Sequence, residues 1–459
     1  MAKSSIKDMT QGSPIKLILG FALPMLLGYL FQQFYSMVDT IIVGKWLGVT
    51  SLAAVGATGS INFMIIGFCI GVCSGFAIPM AQRFGAGDYH SLRKYTANSV
   101  WASIVFSVVM TVAVCLLCMN ILEWMRTPDD IIDEAYQYIF VIFLGIPVTY
   151  LYNLLASIIR ALGDSRTPVY FLLLSSGINI ILDIISIGVF GMGVEGPAWA
   201  TVISQGVSGL LCLIYMIKKF EILHIKREEW AYDGQCMKIL CAMGIPMGLQ
   251  YSVTAIGGVV LQAAVNGLGS MAVAATTAGS KISVFFSCPF DALGGTMATY
   301  AGQNVGAKKL DRIHQGIKSA VIIGSIYGIT AFGVLTAFGK QIALLFVDAG
   351  EAQIIDRVHL LLVIISAFYV LLAIVNIVRF CIQGMGFSKL AILAGACEMV
   401  GRGVVGFGFV PLFGFTAACF ASPAAWVLAD AFLIPAYYIC MKKMRILFGE
   451  ERGNHDGNE

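Results

Sequence analysis

Leu47-Gly48, Ser51-Leu52-Ala53-Ala54 and Gln82-Arg83-Phe84-Gly85-Ala86 return in the second half of the chain as Leu268-Gly269, Ala272-Val273-Ala274-Ala275 and Gln303-Asn304-Val305-Gly306-Ala307. Gly48 to Gly269, Ala53 to Ala274 and Gly85 to Gly306 are each a displacement of 221 residues. The copies continue to match outside these motifs. Pro24-Met25 pairs with Pro246-Met247, and Asn153, Gly163 and Ser165 pair with Asn376, Gly386 and Ser388 at a displacement of 223. Two membrane-length halves in the same order imply parallel repeats related by an axis along the membrane normal. Such repeats mark secondary transporters, whose halves rock around a site between them.

Composition requires the membrane. The chain has 459 residues, 58% hydrophobic and 12% charged, with mean hydropathy +0.84. An ordinary soluble chain carries about 25% charged residues, so here the surrounding solvent is largely lipid. A net charge of +3 is too small to imply a nucleic-acid partner. The polar start, Met1 to Gly12, has no run resembling a signal peptide, so the first span is expected to direct its own insertion. The twelve cysteines lie mostly in apolar stretches, where they pack as small hydrophobes. Neither a disulfide framework nor a cysteine metal site is expected.

Windows of bilayer length predict twelve spans, at 15–43, 52–80, 96–119, 136–158, 168–189, 196–217, 237–262, 273–301, 316–338, 358–383, 388–410 and 416–440. Several exceed 25 residues, which calls for tilt or kinks. The fold class is therefore an all-α integral membrane protein of twelve transmembrane helices, in two six-helix bundles related by pseudo-two-fold symmetry. Residues 1–217 form an N-terminal lobe, 218–236 a polar linker, 237–445 a C-terminal lobe and 446–459 a polar tail. The loops after odd-numbered spans carry Glu123, Asp129, Asp130, Asp133, Glu134, Asp348, Glu351 and Asp356 but few bases. The even-numbered loops and the termini carry Arg83, Arg93, Lys94, Arg160, Arg166, Lys308, Lys309, Arg312, Lys442, Lys443 and Arg445. The positive-inside rule places both termini and the linker in the cytoplasm.

Ionisable residues inside spans are few, and among them are Asp39, Asp183, Lys281, Asp291, Arg379, Glu398 and Arg402. Each costs about 2.5–3.5 kcal/mol on insertion scales, so each should face a cavity or a partner. Gln32, Tyr35 and Asp39 are spaced i, i+3, i+7, one polar face of the first helix. Asn179 and Asp183 are spaced i, i+4 on the fifth, and Thr201 adds a hydroxyl from the sixth. Carboxylate, amide and hydroxyl oxygens suit Na⁺ or a shared proton; a structural hydrogen-bonded cluster is the alternative. The repeat acts as an internal control. Asp39 falls on Val260 or Leu261 of the second copy, Asn179 on Arg402 and Asp183 on Gly406. Groups that merely supported the shared architecture would have counterparts, so the cation site is expected in the N-terminal half alone. Asn153, Lys281 and Asp291 are expected to line the substrate cavity, with Lys281 able to neutralise an acid there. Glu398 and Arg402, at i, i+4, can pair. Pro24 and Pro246 each remove a helix hydrogen bond and allow a bend. Gly67, Gly71 and Gly75 repeat the small-xxx-small packing pattern.

Two matches to GxGxxG, at Gly191 and at Gly401, lack the βαβ context of a nucleotide site. No Walker A, HExxH or GxSxG motif is present, and an enzyme is not expected.

Val38-Asp39-Thr40, Ala53-Ala54-Val55-Gly56, Gln82-x-x-Gly85-Ala86-Gly87, Gln303-x-x-Gly306-Ala307 and the run from Arg160 to Pro168 together resemble the multidrug and toxic compound extrusion (MATE) family over nearly the whole chain. The resemblance implies a V-shaped rocking bundle. Its N-lobe cation site would fall on Asp39, Asn179, Asp183 and Thr201, with Gln32 and Tyr35 lining the drug cavity. Other members carry a helix-7 carboxylate, where this chain reads Gln250-Tyr251-Ser252-Val253-Thr254, with no acid. The expected function is a secondary antiporter of the bacterial inner membrane, exporting amphipathic organic cations in exchange for H⁺ or Na⁺ with no other cofactor. The alternative is a flippase for a lipid-linked oligosaccharide or other amphiphile. A monomer in the lipid bilayer, with small-molecule partners only, is expected.

Overall fold

The computed structural model describes residues 7–449. Every regular element among them is helical. The first half comprises α1 (Pro14–Trp46), α2 (Val49–Ala57), α3 (Gly59–Gly85), α4 (Tyr89–Leu116), α5 (Cys118–Trp124), α6 (Ile132–Leu144), α7 (Ile146–Ala161), α8 (Arg166–Gly188) and α9 (Glu195–Lys219). The second comprises α10 (Gly234–Asn266), α11 (Ser270–Gly306), α12 (Leu310–Ala343), α13 (Ala352–Ala367), α14 (Tyr369–Gly384), α15 (Ser388–Gly403), α16 (Val410–Cys419) and α17 (Ala421–Phe448). Ten spans are continuous, counting α15 to α16 as one; α6 with α7 and α13 with α14 are pairs bent by 48° and 52°, which completes twelve. The bend at Gly145 has a cause in Pro147, in the first turn of α7, which has no N–H for the helix ladder. The bend at Phe368 has no proline or glycine beside it, and nothing in the structure explains it. The glycine-rich stretch after Gly401 widens into a π-helix at Val404–Phe409, so the GxGxxG there is membrane helix. The end of the polar tail, 450–459, lies outside the described residues.

The chain forms two compact units. The first holds Leu27–Ser252 and the described residues ahead of Met9; the second holds Met9–Leu26 and the chain from Val253 onward. The units differ from the lobes drawn on the sequence in the first halves of two helices. α1 begins in the second unit and ends in the first, whereas α10 begins in the first and ends in the second. The linker also belongs to the first unit. Pro24 and Pro246 lie inside these two divided helices, a few residues before each division.

In the first unit the opening half of α10 is seated on a glycine seam. Gly67 of α3 packs on Tyr251, Gly71 on the backbone of Met247 and Gly248, and Gly75 on the backbone of Gly244. This is the small-residue approach anticipated from the spacing. Around it Val72, Cys73, Phe76, Met80, Tyr150 and Ile159 form a closed apolar core.

The repeated motifs set the turns. Gly48 and Gly269, ahead of α2 and α11, have φ/ψ of 94°/−178° and 90°/171°. That region is essentially open to glycine alone, which accounts for the Leu-Gly in both copies. In the second unit Gln303 and Asn304 grip the chain leading into α1. The Gln303 side-chain oxygen accepts from the Met9 N–H at 2.8 Å, Asn304 donates to the Met9 carbonyl at 3.2 Å and Arg312 donates to the Gly12 carbonyl at 3.0 Å.

In the first unit the linker leading into α10 is gripped by the start of α4. Glu229 is buried and accepts from both sides: from Arg93 Nε at 2.8 and 2.9 Å and from the Lys226 N–H at 2.8 Å, with His90 at 3.0 Å. Asn98 receives the Asp233 N–H at 2.9 Å, and Lys94 pairs with Asp233 at 2.5 Å. The Arg93 hydrogen bonds, with help from the Lys226 N–H and His90, hold the Glu229 carboxyl down at about 2, below its ordinary 4.5. A depressed carboxyl stabilises the fold above its unfolded value and loses that contribution as it protonates. The clamp therefore holds fully above pH 4.5 and releases as pH falls toward about 2. At neutral pH, E229Q should loosen it by about 1.5–3 kcal/mol, the worth of charged hydrogen bonds. Faster amide exchange over residues 221–233 is the expected readout; exchange equal to wild type would contradict the clamp.

Candidate functional site

Four helices of the first unit bring polar groups together in an otherwise apolar interior. α1 supplies Tyr35 and Asp39, α8 supplies Asn179 and Asp183, α9 supplies Thr201 and α6 supplies Tyr138. Asn179 and Asp183 share the inward face of α8 because they are four residues apart, and they are 1% and 0% exposed. Asp39 and Thr201 are half-buried.

Thr201 organises the cluster. Its hydroxyl donates to the Pro197 carbonyl at 3.0 Å and accepts from the Asn179 amide at 3.2 Å. Having given up its one proton, it can only accept from the Tyr35 hydroxyl, 3.3 Å away. The Asn179 side-chain oxygen is buried and left without a hydrogen-bond partner. Asp39 and Asp183 face one another closely enough for a proton on one to be shared with the other, and Tyr35 and Tyr138 both sit in their field.

Four buried acceptor oxygens in this nest have no protein donor: Asp39 Oδ1, Asn179 Oδ1, Asp183 Oδ1 and Asp183 Oδ2. No lysine or arginine pairs with either aspartate among the ion pairs of the described residues. Buried charge without a partner is costly, and buried polar groups are almost always satisfied. A donor set of two carboxylates, an amide oxygen and a hydroxyl can hold a small hard cation or a proton. It lacks the imidazole and thiolate that zinc and copper favour.

The sequence-predicted residues divide accordingly. Tyr35, Asp39, Asn179, Asp183 and Thr201 meet. Gln32 lies one turn from Tyr35 on α1 and is exposed. Asn153 is half-buried on α7 and donates to the Thr149 carbonyl of its own helix at 2.8 Å, so it is not bonded into the cluster. Lys281 and Asp291 are exposed on α11 of the second unit. Glu398 and Arg402 approach to 3.8 Å, but the closer partner of Glu398 is Arg379, from α14. Tyr138 is the residue the sequence reading missed. The same displacement of 223 that pairs Asn153 with Asn376 sets Tyr138 against Leu361, so the comparison of copies that singled out the acids would have found it.

Comparison with known proteins agrees with this architecture. The MatE family model matches residues 24–185 and again 246–407, one match per repeat. The chain is 29% identical over 373 residues, 80% of each protein, to the probable multidrug resistance protein YoeA of Bacillus subtilis. It is 24% identical over 392 residues to the multidrug export protein MepA of Staphylococcus aureus, covering 84% of this chain and 86% of that one. The fold superposes with TM-score 0.90 on an outward-facing multidrug resistance MATE family transporter of the MOP superfamily, at 22% identity, over 97% of this chain and 99% of that one. Twofold matching of the family model, twelve spans and the doubled motifs lead to one statement: the chain belongs to the MatE family of multidrug and toxic compound extrusion transporters.

Proposed function

We propose that this chain exports amphipathic organic cations in exchange for H⁺ or Na⁺, by a cycle in which its two repeats rock. The observation that carries this reading is the donor-poor acidic nest of Asp39, Asn179 and Asp183. An acidic site inside lipid attracts either an organic cation or a small driving cation. Binding of the second neutralises Asp39 and Asp183 and weakens the hold on the first. Coupling needs no more than that difference in affinity between the two loaded states. The named relatives, a probable multidrug resistance protein and a multidrug export protein, support small-molecule export. The distribution of basic residues supports an orientation with both termini and the linker cytoplasmic.

In vesicles carrying the purified protein, a fluorescent organic cation should move against its gradient when a pH gradient or a Na⁺ gradient is imposed alone. The effective gradient names the driving ion. Movement driven by neither would refute the exchange.

A further inference from the structure

The interior of the second unit holds a charge network that the exchange reading leaves unused. α14 supplies Arg379, α15 supplies Glu398 and Arg402, and α17 supplies Asp430. Arg379 and Glu398 are both buried and form an ion pair. The second oxygen of Glu398 lies 3.8 Å from Arg402, which also donates to the Thr254 carbonyl at 3.4 Å. Asp430 is only 4% exposed, and neither of its carboxyl oxygens accepts a hydrogen bond.

The helices packed on α17 are α14, α15, α16, α12 and the π-helical segment. Of the titratable groups on these helices, Tyr369 of α14 packs on Trp426 of α17, Asp311 of α12 pairs with Arg445, Cys381 of α14 lies near Tyr437 and Cys440, and α14, α15 and α16 also carry Arg379, Glu398, Arg402 and Cys419; the π-helical segment has none. His314 is committed to Tyr437, two turns along α17 from Asp430, at 3.2 Å. Among the described residues Arg379 is the charged neighbour whose field reaches Asp430, and the two form no ion pair. Arg379 is held by its ion pair with Glu398, and Asp430 takes part in no ion pair among the described residues. An ionised Asp430 would therefore stand in a low-dielectric interior with no hydrogen bond on either oxygen. Isolated buried carboxylates avoid that cost by taking up a proton. A metal cation is the poorer solution, because it would sit beside the guanidinium.

We propose that Asp430 is a proton-binding site of the second unit, with Arg379 as the counter-ion it shares with Glu398. When Asp430 carries its proton, Arg379 keeps its ion pair with Glu398. When the proton leaves to water, the Asp430 carboxylate competes with Glu398 for Arg379 and draws α14 and α17 together. The site lies outside the acidic nest of the first unit and holds whether or not that nest binds the driving ion.

Infrared difference spectra of the full-length protein in lipid nanodiscs, recorded across a pH titration without any substrate, test it. Wild type should show a protonated-carboxyl C=O band that is lost in D430N and kept in D39N. D430E, which retains a carboxyl on a longer stem, should shift that band rather than remove it, so a misassembled D430N does not leave the question open. Bands in D430N and D430E that match wild type in position and amplitude would overturn the proposal.

Discussion

Asp39→Asn should reduce export of an organic cation to the level of protein-free vesicles, a fall of more than about tenfold, while the variant is recovered folded and in normal yield. The substitution keeps the size of the side chain and one acceptor oxygen, so the packing of α1 is little disturbed. It removes the charge that can be neutralised. A ligand shifts a two-state equilibrium only by its differential affinity for the two states, and a neutral amide at position 39 offers the driving cation almost none. Asp183→Asn should behave alike, because the two carboxyls share one field and one candidate proton. Stability should change little or rise, since each variant removes a buried acid that has no protein donor on at least one oxygen. Export at the wild-type rate by either variant, under the same imposed gradient, would remove the acidic nest from the coupling mechanism.

The second large effect concerns assembly. Gly71→Val should abolish recovery of folded protein. A Cβ at Gly71 would stand 2.6 Å from the Met247 carbonyl oxygen and 2.8 Å from Gly248 Cα. Both are backbone atoms of α10 and cannot turn aside as a side chain would. Overpacking a tight interior costs about 1–3 kcal/mol, and more when the backbone must move. Here it would lift the opening half of α10 off α3, along a seam that also includes Gly67 and Gly75. Gly71→Ala should lie between, with a lowered melting temperature in detergent. Monodisperse Gly71→Val protein melting at the wild-type temperature would show that the seam yields more easily than its geometry implies.

Much of this was readable from residues. Spans followed from hydropathy, because a lipid-facing helix has to be apolar along its length. The members of the nest followed from helical spacing and from their absence in the second copy. The division of α1 and α10 between the compact units was not readable. Pro24 and Pro246 announce a bend, but which neighbours each half-helix packs on depends on contacts such as Gly71 with Met247. The break at Phe368 carries no proline or glycine and left no sign in the sequence. Tyr138 escaped attention because a tyrosine in a span is unremarkable until the carboxyls beside it are located. Asp430, within the last predicted span, drew no notice; its interest comes from burial and from Arg379, which lies on another helix.

Direct measurement of ion release from the purified protein bears hardest on the exchange itself. A saturating organic cation is added to wild type and to the Asp39→Asn, Asp183→Asn double variant, and the protons or Na⁺ set free are counted at a pH and salt where the driving ion is bound. The nest predicts stoichiometric release from wild type and none from the double variant. Equal release from both would contradict it, and would place the driving ion elsewhere in the chain.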